Sequence, residues 1–125
     1  MSKFTSVYDL LGASGVTDDT TGEAFEVGDR KKLSIQFIAS GISDGNGVFT
    51  VEVSNDGTNW IVYNRLTTNV TNTNAQTDTR VASVTLNSNT SSIVFFPVGD
   101  HFRYIRVKVD VTTDGTYKAK LHAVD

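Results

Sequence analysis

The chain has no cysteine, one proline (Pro97), one tryptophan (Trp60) and two histidines (His101 and His122) in 125 residues. Without thiols there is no disulfide, no thiolate metal site and no cysteine nucleophile. A bridge-free domain of this size points to assembly inside a cell. A lone proline excludes a proline-rich extended tail. No apolar run approaches the ~20 residues of a helical membrane span, and the segment from Met1 to Thr5 lacks the apolar stretch of a signal peptide. Basic residues are also scattered, with Arg30-Lys31-Lys32 as the one cluster. That triplet reads as a solvated turn before a strand. With a formal net charge of -3 and a pI near 5.2, the chain does not read as a nucleic-acid binder, which would usually show a basic face. Neither membrane nor nucleic acid is expected as a partner.

Catalytic patterns are equally sparse. A serine nucleophile would have to be served by His101 or His122, and both lie in or beside strand-like segments. No Gly-x-Ser-x-Gly elbow occurs, nor any Gly-Lys-Ser or Gly-Lys-Thr phosphate loop. A glycosidase needs two flanking carboxylates. Most acids fall in turns (Asp18, Asp19, Asp29, Asp44, Asp56, Asp100, Asp114), and Glu52, mid-strand, faces outward. Asp44 and Asn46 are spaced like the first ligands of a calcium loop, but the twelfth position is Asn55 rather than Glu. The sequons at Asn69 and Asn89 read as chance products of an Asn/Thr-rich chain. No enzyme, metal or cofactor is expected.

What the chain does have is alternation. Leu33, Ile35, Phe37 and Ala39 share one face of a segment, as do Phe49, Val51 and Val53 of the next. Ile105, Val107, Val109 and Val111 alternate with Tyr104, Arg106, Lys108 and Asp110. Tyr117, Ala119, Leu121 and Ala123 alternate with Lys118, Lys120 and His122. Gly41–Gly47, Ser54–Gly57 and Thr113–Gly115 supply turns. Leu33–Ala39, Val48–Val53 and Asn59–Arg65 are expected to form a three-strand meander, and the last two strands a hairpin across which Arg106, Lys108 and Asp110 meet the final lysines. Shorter strands are expected near Val81–Leu86 and Ile93–Phe96. The polar stretch from Leu66 to Thr79 reads as a long exposed loop. About eight such segments predict an all-β, antiparallel sandwich or jelly-roll-like domain.

Residues 31–125 carry this core within a single domain. Residues 1–30 read as peripheral, an arm with first strands. Phe4, Val7, Tyr8, Leu10 and Leu11 precede a polar spacer. They suit either an arm that grips a partner or an edge strand packed on the same domain.

Two segments carry a resemblance. One is Val51-Glu52-Val53-Ser54-Asn55-Asp56-Gly57-Thr58-Asn59-Trp60. The other is Phe102-Arg103-Tyr104-Ile105-Arg106-Val107-Lys108-Val109 with Gly115-Thr116-Tyr117. Together they resemble small virion proteins of tailed phages, namely capsid decoration (cement) proteins and fibre-associated or other minor structural β-domains. They are also similar to discoidin-type, galactose-binding-like jelly rolls, although these usually run longer and often carry a disulfide. Ser54, Asp56, Gly57, Trp60, Tyr104 and Arg106 form the shared motif. Its expected work is fold-keeping: a tight hairpin at Ser54–Gly57, Trp60 packed over the core, and Arg103 or Arg106 tying strands together. The phage resemblance implies a non-catalytic protein made in the host cytoplasm and located on the capsid surface. Its partner would be the major capsid protein, and a homotrimer is the favoured assembly. The alternative reading is a carbohydrate- or receptor-binding module of a fibre or adhesin. That module would use loops such as Asn69–Thr79 or Ser43–Gly47, with Trp60 or Tyr63 as a stacking platform.

Overall fold

The structure is a computed structural model that describes residues 5–68, 80–97 and 99–124. Among these residues all regular elements are strands, arranged in two antiparallel sheets. The first sheet holds, in spatial order, β1 (Thr5–Asp9), β12 (Thr116–Val124), β4 (Lys32–Ser40), β10 (Ser91–Phe95), β7 (Leu66–Thr68) and β8 (Arg80–Val81). The second is centred on β11 (Tyr104–Thr112) and β5 (Asn46–Ser54). Along the outer edge of β11 run β2 (Thr20–Thr21) and β3 (Phe25–Glu26). Along the outer edge of β5 run β6 (Ile61–Val62) and β9 (Ser83–Leu86). β2, β3, β6 and β8 are two-residue pairings. They account for the difference from about eight strands, the number that alternation suggests.

Four nine-residue strands, β4, β5, β11 and β12, make the centre. Their alternation buries Ile35, Phe37 and Ala39, then Phe49, Val51 and Val53. It also buries Ile105, Val107 and Val109, and Tyr117, Ala119, Leu121 and Ala123. Phe37 stacks on Phe49 with ring centroids 4.5 Å apart, and the Tyr117 ring meets Phe49 edge-on at 5.9 Å. Each large apolar side chain removed from water contributes about 1.5–3 kcal/mol. The fold therefore rests on this interior.

The expected meander does not form. β4 pairs with β12 in one sheet, and β5 pairs with β11 in the other. The turns after β4 and after β11 are thus arches that carry the chain from one sheet to the other. Residues alternating inward on β4 and β5 face each other across the interior, as Phe37 and Phe49 do. For the same reason Arg106, Lys108 and Asp110 lie on the opposite outer face from Lys118 and Lys120. The expected cross-hairpin contacts between them are absent. Only the third member of the meander survives as a neighbour, with β6 paired to β5. The short segment around Val81–Leu86 splits, β8 joining the first sheet and β9 the second.

Residues 5–30 supply the edges on one side of the sandwich. β1 pairs along β12 from Thr5↔Val124 to Asp9↔Lys120. Tyr8 turns inward against Phe25 of β3 (ring centroids 4.3 Å), and Arg30 lies over both rings. Leu10, Leu11 and Val27 belong to the buried core.

Candidate functional site

β5 and β11 run in register from Tyr104↔Ser54 to Thr112↔Asn46, which brings the two resemblance-bearing segments side by side. Ser54 Oγ donates to Asp56 Oδ1 (2.9 Å) and accepts from the Gly57 N–H (2.9 Å). Asp56 Oδ1 also accepts the N–H groups of Thr58 (2.9 Å) and Asn59 (2.8 Å), and its Oδ2 accepts from Asn59 Nδ2 (2.7 Å). Donors from the Asn59 backbone, the Thr58 backbone, the Asn59 side chain and Ser54 hold the Asp56 carboxyl well below the usual carboxylate range. Gly57, at φ 76°, lies against the Tyr104 ring. Arg106 reaches Glu52 at 2.8 Å, tying β11 to β5, and its guanidinium lies 4.1 Å from the centre of the Trp60 ring. Arg103 reaches Glu26 of β3 at 3.1 Å.

Ser54, Asp56, Gly57, Trp60, Tyr104 and Arg106 therefore gather at one end of the second sheet. Two details differ from the expected arrangement. The reversal between β5 and β6 is a six-residue loop organised by Asp56, not a two-residue hairpin. Trp60 sits half-buried beneath Arg106 on the outer face rather than over the core. Residue 60 immediately precedes the Val53↔Ile61 and Glu52↔Val62 pairs, so its ring is turned to the side that Glu52 and Arg106 share.

Beside this cluster the sandwich is open. A groove of about 550 Å³ lies between the β5–β6 region and residues 99–102. Tyr63, Phe96 and Phe102 form an aromatic triangle there, with centroids 4.9–5.8 Å apart. Asn55, Asn59, Asn64 and Arg65 bring polar groups to its wall, and Ile61 is 69% exposed at its rim. Tyr63 Oη donates to Asp100 Oδ2 at 2.5 Å, and Arg65 Nε meets the same oxygen at 3.0 Å. Burial first, then the hydrogen bond and charge of Asp100, push the Tyr63 phenol up, so it stays a protonated donor. A second hollow, of about 430 Å³, shares Asn55, His101 and Phe102 with the groove and adds Glu26, Asp29 and Arg103. Among the described residues the groove wall holds a single carboxylate, Asp100, already engaged by a phenol and a guanidinium. The arrangement suits recognition by amides and apolar contact.

Sequence reasoning missed this groove. Its central pair, Tyr63 and Asp100, is 37 residues apart, and neither residue stands in a recognisable local motif.

The other expected sites lie elsewhere. The Ser43–Gly47 loop is tied down, because the Asp114 carboxylate accepts N–H groups from Ser43, Asp44 and Gly45. Asn69–Thr79 and Phe4 lie outside the described residues. Neither aromatic platform presents a free ring: Tyr63 is buried and Trp60 is capped by Arg106. Of the apolar N-terminal residues, Leu10 and Leu11 are committed to the core and Tyr8 to Phe25, which leaves Val7 exposed at 62%. Among the described residues, no three His, Asp or Glu side chains gather as a metal site.

No family model matches the chain, and no curated protein matches it in sequence. Among solved structures, the SPBc2 prophage-derived protein YomS aligns over 100% of this chain and 96% of its own, with a TM-score of 0.68 and 19% identity. The likeness shows a shared fold from end to end. A chain in the structure of infectious bursal disease virus Gx strain aligns over 98% of this chain and 30% of its own. Its TM-score of 0.41 at 14% identity is too low to carry an argument.

Proposed function

We propose that the chain is a non-catalytic virion structural protein of a tailed phage. In this reading it binds the outer surface of the capsid and stabilises it as a decoration protein. The observation that carries the reading is the fold, which matches a prophage-derived protein across nearly the full length of both chains. Two further features support it. The interior is a sandwich core held by aromatic and aliphatic packing. The one carboxylate described in the open groove, Asp100, is engaged by Tyr63 and Arg65. A protein of this kind acts by burying surface across capsomer junctions, where a stable contact needs about 800 Å² per partner. Its partner would be the major capsid protein, and a homotrimer is the assembly we favour.

The test adds the purified chain to capsids that lack it, prepared from the phage or prophage that encodes it. Binding should saturate at a fixed number of copies and raise the capsid melting temperature by several degrees. Capsids that melt unchanged with the chain in excess would refute the proposal.

A further inference from the structure

The outer face of the first sheet is unlike the rest of the surface. Register places Val7, His122, Ser34, Phe95, Thr67 and Arg80 in one row across all six strands. Asp9, Lys120, Gln36 and Ile93 form the next row, and Lys118, Ile38 and Ser91 the one beyond. Three of the five large apolar side chains most exposed among the described residues stand here: Val7 at 62%, Phe95 at 45% and Ile93 at 36%. The strands also carry Lys32, Lys118, Lys120 and Arg80 on this face, against one carboxylate among the described residues, Asp9, which pairs with Lys120 at 2.8 Å. Among the described residues the face is therefore net positive, on a chain whose formal charge is -3. Lys32, Lys118 and Arg80 have no ion-pair partner among the described residues. The opposite outer face has no such excess of cations: Arg106 and Lys108 stand with Glu52, Asp110 and Glu26, and Arg106 is engaged by Glu52 and Trp60.

We infer that this face of the first sheet docks on a carboxylate-rich protein surface of the capsid. The inference rests on the virion reading above and names the surface that makes the contact. Two physical arguments support it. Exposed apolar side chains rimmed by polar ones mark interaction sites, and unpaired cations around them select an acidic partner and steer its approach. Size also fits. The six strands, spaced ~4.8 Å apart and rising ~3.3 Å per residue, present about 500 Å², the larger part of the about 800 Å² per partner of a stable interface.

The experiment measures binding of the full chain to capsids lacking it, across a range of salt. The variants are Lys32→Glu with Lys118→Glu, Phe95→Ser, and Lys108→Glu on the opposite face as control, each checked for an unchanged circular dichroism spectrum. The paired lysine reversal should weaken binding at least about tenfold and flatten its salt dependence, because the screened attraction has been removed. Phe95→Ser should weaken binding several-fold at all salt concentrations, and Lys108→Glu should stay within about twofold. If the wild type binds and the first two variants bind equally well, the docking face is wrong and the virion reading stands. If Lys108→Glu weakens binding as much as the lysine pair, the attraction is general and the assignment to this face fails. If the wild type does not bind at all, the virion reading falls and takes the docking face with it.

Discussion

The two ends of the sandwich reverse the chain by opposite means. At one end the β4–β5 and β11–β12 arches lie against each other with no room between them. Gly45 passes directly over the backbone of Thr112 and Asp114, and Gly47 lies under the Tyr117 ring. The Asp114 carboxylate gathers N–H groups from Ser43 (3.2 Å), Asp44 (3.4 Å) and Gly45 (3.0 Å), while the Tyr117 hydroxyl donates to the Asp114 carbonyl (2.8 Å). At the other end the loops after β5 and before β11 stand apart over an aromatic floor, leaving the groove of about 550 Å³. Polar contacts hold that end: Asp56 for one loop, and Asp100 with Tyr63 and Arg65 for the other. The arch end spends its small residues on closeness. The groove end keeps space that a partner can use.

This contrast breaks most sharply at Gly47. A Cβ there would stand 2.5 Å from the Tyr117 ring, which is fully buried and has nowhere to go. Gly47→Ala should cost about 3 kcal/mol, the upper part of the range for overpacking, read as a fall in the denaturation midpoint. A cost under about 0.5 kcal/mol would mean the arch end has slack. Asp114→Ala comes next. It leaves three loop N–H groups without their acceptor and should cost about 2 kcal/mol. Those groups can turn to water, so the loss should fall below that of Gly47→Ala. An equal or larger loss would show that polar contacts, rather than packing, hold the arches.

The contrast was only half legible in the sequence. The inward residues of β4, β5, β11 and β12 follow from a period of two because each strand is long enough for the alternation to show. Sheet membership does not follow. A turn such as Gly41–Gly45 joins two alternating strands equally well as a hairpin or as an arch, and alternation is the same for both. The arch is settled by Asp114, about seventy residues from the N–H groups it accepts. Leu10 and Leu11 were obscured differently: two adjacent leucines break the strand period, yet both enter the core because the chain turns at the end of β1. The reversal at Ser54–Gly57 was readable because Ser54 and Asp56 bond locally, although its six-residue form was not. The Tyr63–Asp100–Arg65 contact was not, because distant loops bring it together.

The smallest effect belongs to that contact, and pH separates it from packing. Tyr63→Phe keeps the ring on its aromatic neighbours and removes one donor to Asp100, which retains Arg65. The loss at neutral pH should be about 1 kcal/mol. The phenol is held protonated in the folded chain, above its ordinary value of 10.0. Below that pH both states keep the proton and the stabilisation is complete. Above it the unfolded chain ionises first, binds fewer protons, and gains on the folded one. Wild-type stability should therefore fall as pH rises past 10, and Tyr63→Phe should fall less. Tyr117, raised mainly by burial at the arch end, keeps its share of the alkaline loss in both proteins. Urea denaturation at about pH 8 and about pH 11 reads the difference. Parallel losses in the two proteins would move the alkaline sensitivity to Tyr117, and with it the polar control assigned to the groove end.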